Sequence, residues 1–118
     1  MSETVFRIQD ADGRGPFKPG FSSQWVEIRA DHQNLKSWLD EFGPIQNELL
    51  VGEYAACGCK TIAQLKRWFT KAEYKRLRRL GYNAMRIEVG RILAESEIQC
   101  VFGSAHPLNK NTKIVRLY

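Results

Sequence analysis

The chain has little of what holds secreted or metal-stabilised small proteins together. Its three cysteines are an odd number, so no disulfide framework is expected and the thiols are read as reduced. Histidine is scarcer still, with two residues. Cys57, Cys59 and Cys100 with His32 or His106 make the one candidate Cys₃His set. A C-x-C pair lacks the usual knuckle spacing, however, and Cys100 falls inside a strand-like run. Buried structural cysteine is the better reading, and no metal is expected. No apolar run approaches the roughly 20 residues that a membrane-spanning helix needs. The opening MSETVFRIQD has neither the basic start nor the apolar middle of a secretory signal, so a cytoplasmic protein without membrane contact is expected. The phosphate-loop spacings GxxxxGK[ST] and GxGxxG are absent, as are internal repeats and low-complexity segments.

What is present suits one domain spanning residues 1–118, with 43% hydrophobic and 11% aromatic residues, enough for a real core. The charge is unevenly placed. Between Lys60 and Arg79 stand eight Lys or Arg against one acid, Glu73, a local net of +7 in a chain whose total is +5. The remainder therefore carries −2. Two capping boxes organise this stretch, Thr61 with Gln64 and Thr70 with Glu73. Ile62, Leu65 and Phe69 fall on one face of the first predicted helix, with Trp68 at its border. Tyr74, Leu77 and Leu80 line the second helix, which Gly81 ends. Lys71, Lys75 and Arg78 share the second helix's outer face. That face is either a solvated exterior or a surface for an anionic partner, which would relieve the repulsion among like charges.

Elsewhere, Thr4–Gln9 alternates as a strand, with Phe6 and Ile8 opposite Val5, Arg7 and Gln9. The Gly- and Pro-rich run from Asp10 to Ser22 is a structured loop that Phe17 and Phe21 anchor to the body. Its backbone around Gly13, Arg14 and Gly15 is open to a phosphate, although the spacing is a weak signal. Gln24–Ile28 reads as a short strand, and Asp31 as the cap of a helix through Phe42 that carries Leu35, Trp38, Leu39 and Phe42. Gly52–Cys57 is a strand of small side chains. Tyr82–Val89 alternates cleanly. Gly90–Glu97 is a turn with a helical or irregular piece, Ile98–Phe102 a strand, and Lys113–Tyr118 a closing strand. Cys59, just before a helix and beside Lys60, is expected to have a lowered pKa; His106, before Pro107 in a loop, is a candidate base that nothing in the sequence places beside it. The order of elements argues for an α+β fold with a mixed or antiparallel sheet and two or three helices.

The segments VFRIQDADGRGPFKPGFS, GEYAACGCKTIAQLKRWF and LGYNAMRIEVGRILAESEIQCVF resemble small proteins of phages and prophages. Their arrangement is similar to a compact ADP-ribosyltransferase-like fold. The resemblance implies an NAD site in which Arg7 and Arg14 hold the phosphates. Tyr54 would stack on a ring, Thr61 would brace the nicotinamide pocket, and Glu97 or Gln99 would orient the ribose as the catalytic pair. Gln99 stands where such folds carry a second acid. An amide supplies hydrogen bonds but no full charge to an oxocarbenium-like transition state, which argues against full transferase activity.

Two further functions compete with this one. A phage-type protein of this size could bind and inhibit a host defence complex, in the manner of an anti-CRISPR protein. Alternatively, Lys66, Lys71, Lys75 and Arg78 could bind nucleic acid directly, with a steep salt dependence. Either would act in the host cytoplasm.

Overall fold

The computed structural model describes residues 3–17, 20–27 and 35–118. The alternating first segment forms β1 (Glu3–Gln9), which pairs antiparallel along its whole length with β3 (Asn83–Val89), from Glu3↔Val89 to Gln9↔Asn83. On its other edge β3 takes the short β6 (Thr112–Ile114). A second antiparallel sheet is centred on β5 (Cys100–Ser104), flanked by β2 (Tyr54–Gly58) and β4 (Arg91–Glu95). Among the described residues one isolated β-bridge, Phe6↔Cys59, links the two sheets. There each residue's N–H donates to the other's carbonyl at 2.7 Å.

Alternation along β1 and β3 assigns their two faces to two cores. Ile8 and Ala84 pack with Leu65, Phe69, Tyr74, Leu77 and other buried residues into the helical side. Val5, Met85, Ile87 and Val89 pack on the opposite side against Cys100 and Phe102 of the second sheet. The β1–β3–β6 sheet is therefore the middle of three layers. Each large apolar side chain buried this way contributes about 1.5–3 kcal/mol.

The helical layer follows its capping signals. In α2 (Ile62–Trp68) the Thr61 hydroxyl accepts from Gln64 N–H, and the Gln64 side chain accepts in return from the Thr61 backbone. In α3 (Lys71–Arg79) Thr70 and Glu73 repeat the arrangement. The end of α3 is a Schellman motif. Gly81 N–H donates to Arg78 O, Tyr82 N–H donates to Leu77 O, and Gly81 takes φ 92°, which glycine alone adopts cheaply. Glu73 does a second job. It is fully buried, and its other carboxylate oxygen accepts from Glu27 N–H at 2.8 Å. With Arg76 donating to Trp25 O, it ties the 20–27 segment to the helix.

Several expectations are corrected. Instead of a strand at Gln24–Ile28, the described part is a 3-10 turn at Ser22–Gln24 followed by irregular chain. Its polar groups bond to α3 rather than to a sheet. The helix assigned from Asp31 to Phe42 is α1 (Trp38–Phe42), capped by Ser37, whose hydroxyl accepts from Asp40 N–H. Leu35 to Ser37 are not helical, and Asp31 lies outside the described residues. The Gly90–Glu97 turn is mostly β4, because Gly90 N–H bonds Gly103 O and Arg91 to Glu95 pair with β5 across a bulge. The closing strand shortens to β6, beyond which the chain is irregular and Leu117 inserts into the helical core. The architecture is α+β, with two antiparallel three-stranded sheets and three α-helices among the described residues.

Candidate functional site

β1 and β2 meet at the Phe6↔Cys59 bridge and then part. Residues of both strands line a cavity of about 690 Å³ at the parting. Arg7 and Ile8 come from β1, and Ala56 to Cys59 from β2 and its end. Leu65, Trp68 and Phe69 close it from α2. Gly15, Pro16 and Phe17 come from the first loop, and Ser37 and Trp38 from the start of α1. Gln99 is also on the wall.

Arg7 dominates the chemistry. Alternation puts it on the face of β1 opposite Ile8, and the second sheet covers that face. Only 8% of the residue is exposed, and neither Nε nor Nη1 has a hydrogen-bond partner. Burial pushes the guanidinium pKa down, while the Cys57 and Asp10 side chains pull it partly back. An arginine does not lose its proton in a protein, so this wall carries a full positive charge with bonds left unmade. Asp10 does not satisfy them, because its Oδ1 accepts from Asp12 N–H and Arg14 N–H within the loop. That turn lays Gly15 over the guanidinium. A Cβ at position 15 would stand 2.9 Å from Nη2, so only glycine leaves that corner uncovered.

The other polar wall groups are more settled. The Gln99 side-chain amide donates to Lys36 O at 2.8 Å and to Glu41 Oε1 at 2.9 Å, and the residue is 3% exposed. Ser96 braces the same turn by donating to Glu41 Oε1 and accepting from Gln99 N–H. Burial raises the Cys57 thiol pKa, with Arg7 opposing. The remaining surface is apolar, with aliphatic residues such as Ile8, Val26 and Leu65 beside a run of aromatic rings. The Phe17 ring lies 5.6 Å from Phe69 and 6.0 Å from Trp68, within ordinary range for aromatic pairs. Trp68 Nε1 donates to Ile98 O, which fixes its indole.

Of the candidate site residues named from the sequence, Arg7, Gly15, Cys57, Cys59 and Gln99 line this cavity and the others described do not. Arg14 and Glu97 are exposed, and the Glu97 carbonyl accepts from the Gln64 side chain. Tyr54 is 47% exposed at the start of β2. Thr61 is engaged as the cap of α2. Lys66, Lys71, Lys75 and Arg78 are exposed, with Lys66 Nζ 5.1 Å from the Tyr118 ring centre. The expectation of a lowered Cys59 pKa is overturned. Burial drives it well above the ordinary thiol range and takes Cys100 to about 12. Among the described residues no three His, Cys, Asp or Glu side chains gather as metal ligands, and His32 lies outside them. No described helix is long and apolar enough to cross a membrane. Gly15 was named in the phosphate-open loop and Cys57 in the Cys₃His set, but Phe17 and Trp68 were not singled out as site residues. Only the density of aromatics flanking the glycine loop and α2 hinted at them.

A protein-family comparison covers nearly all of this scaffold, matching residues 1–113. The chain belongs to the bacteriophage T4 Y00F protein family. No curated protein and no solved structure matches it. The phage resemblance in the sequence is thus placed in a definite family. Among the described residues the Arg7 cavity is the candidate site, joining a buried cation to an aromatic wall.

Proposed function

We propose that this member of the T4 Y00F family is a phage accessory protein that works by holding a small anionic ligand in the Arg7 cavity. The observation that carries this is the Arg7 guanidinium, buried at the cavity wall with Nε and Nη1 unpartnered. An unsatisfied buried donor costs about 1–3 kcal/mol, and more when charged. A site that keeps one is a functional candidate. The volume is in the usual range for small-ligand pockets.

NAD is the specific candidate that the ADP-ribosyltransferase resemblance supplies, and the presence of Arg7 and Gln99 on one cavity supports testing it. The support stops at binding. Among the described residues no carboxylate lines the cavity, and the Gln99 amide nitrogen is already engaged. Thermal-shift titration of the full chain with NAD, ADP-ribose, inorganic phosphate and benzoate tests the reading. An anion that raises Tm more for the native chain than for Arg7→Met supports it, and no response to any anion overturns it.

The exposed face of α3 favours a second reading. Lys71, Lys75, Arg78 and Arg79 are exposed, while the helix's one acid, Glu73, is buried and bonded. This face suits an acidic host-defence protein or nucleic-acid phosphates. A nucleic-acid complex would weaken steeply with salt, and it would be lost on changing Lys71, Lys75 and Arg78 to Glu while surviving Arg7→Met.

A further inference from the structure

The cavity's inventory narrows the class of ligand beyond "anionic". Among the described residues its charge is a single guanidinium, with no acid on the lining. Its other described polar side chains are Ser37, Gln99, the Cys57 and Cys59 thiols and the Trp38 and Trp68 indoles; Gln99 already gives its amide hydrogens to Lys36 O and Glu41, and Cys59 and Trp68 donate to Ile98 O. The rest is apolar or aromatic. A dinucleotide brings two phosphates and two hydroxylated riboses. Most of those polar groups would be left without partners here, at a cost for each. A phosphate monoester, a dianion near neutrality, would leave one negative charge uncompensated in a poorly solvated site. A carboxylate matches the lone guanidinium in charge and in the planar geometry that arginine recognises.

The aromatic wall indicates the body that carries this head. Phe17, Trp68 and Phe69 form a continuous surface, extended by Trp38 on the lining. Phe17 is 51% exposed, so this wall reaches the surface with a large apolar ring. Flat rings stack on such surfaces with little ordering cost.

We infer that the cavity takes an aromatic monocarboxylate, its carboxylate toward Arg7 beside Gly15 and its ring against Phe17, Trp68 and Phe69. This rests on the anion-binding reading above and narrows it. Neutralising the guanidinium is the step that makes charge indispensable. Stacking supplies most of the contact area but cannot distinguish an acid from its amide.

The test is calorimetric titration of the full chain with benzoate, indole-3-carboxylate and 1-naphthoate, each beside its neutral carboxamide, with inorganic phosphate and NAD as further arms. At least one acid should bind about tenfold or more tightly than its amide, since a charge-assisted bond to a buried partner is lost in the amide. Arg7→Met should erase that ratio while leaving amide binding in place, and Phe17→Ala should weaken acid and amide alike. Equal binding of acid and amide overturns the inference. So does NAD or phosphate binding, dependent on Arg7, where no aryl acid binds. In that case the anion site stands and its assignment to aromatic carboxylates falls. Silence from every anion overturns both.

Discussion

Replacing Arg7 with methionine should stabilise the free protein while destroying its anion site. Methionine keeps an unbranched side chain of similar reach and is apolar and adaptable. It removes a buried charge with two N–H-bearing nitrogens that have no acceptor. Each unmade bond costs about 1–3 kcal/mol, and exchanging a poorly compensated buried charge for a packed apolar group is often stabilising by a similar amount. A net gain of about 1–3 kcal/mol is therefore expected. Near 4 °C per kcal/mol for a domain of this size, Tm should rise by about 4–12 °C. Urea unfolding gives the cleaner measurement, because the midpoint should move up with an unchanged m value. With ligand at about 100 times its Kd the native chain should gain about 2.7 kcal/mol, and the variant, binding about tenfold more weakly, about 1.4 kcal/mol. A variant several degrees less stable than the native chain would refute the reasoning. It would show that Arg7 holds the fold together, and the cavity would lose the observation on which its assignment rests.

Three other outcomes follow from the same contacts. Glu73→Ala removes a fully buried carboxylate that accepts from the part-buried Thr70 N–H and Glu27 N–H. It should cost about 2–4 kcal/mol in urea unfolding, with earlier hydrogen exchange in the 20–27 segment. Gly15→Ala places its Cβ 2.9 Å from Arg7 Nη2, so ligand affinity should fall clearly while Tm changes by only a few degrees. Equal affinity would mean that the guanidinium does not meet the ligand at that corner. Glu53 is held near pKa 2, against its ordinary 4.5, by two hydrogen bonds from Arg91 and one from Leu50 N–H. Its depressed value means that its stabilisation is full above about pH 4.5 and lost as pH falls toward 2. Arg91 covers the carboxylate, but the pair lies at the surface, so solvent screening keeps the effect modest. Glu53→Gln should flatten the acid limb of a plot of urea midpoint against pH, and an unchanged limb would contradict the assignment.

The elements legible in the sequence were those whose cause is local. The Thr61–Gln64 and Thr70–Glu73 boxes define where α2 and α3 begin, because capping needs only residues three apart. Gly81 ends α3 through bonds that span a few residues. Alternation gave β1 and β3 nearly to the residue, since a strand's two faces repeat every second position. By contrast, β4 was missed because Ile92, Leu93 and Ala94 do not alternate, and their pairing with β5 across a bulge is decided by the partner. The extent of α1 was misjudged for a related reason. A helical pattern of apolar residues does not reveal whether the chain has a surface on which to lay it.

The amino-acid order by itself determined the α+β class, the basic helix pair with its caps, and the opposition of Arg7 to Ile8 across β1. Tertiary structure alone decided what lies over each face. The second sheet returns to cover the Arg7 side of β1, turning a strand cation into a buried one, and the Asp10 turn sets Gly15 against it. It also brings Gln99, from the far end of the chain, to the same cavity. Caps and alternation act over a few residues and are written in neighbouring letters. Burial and a shared cavity depend on segments about ninety positions apart packing together, and no local pattern carries that information.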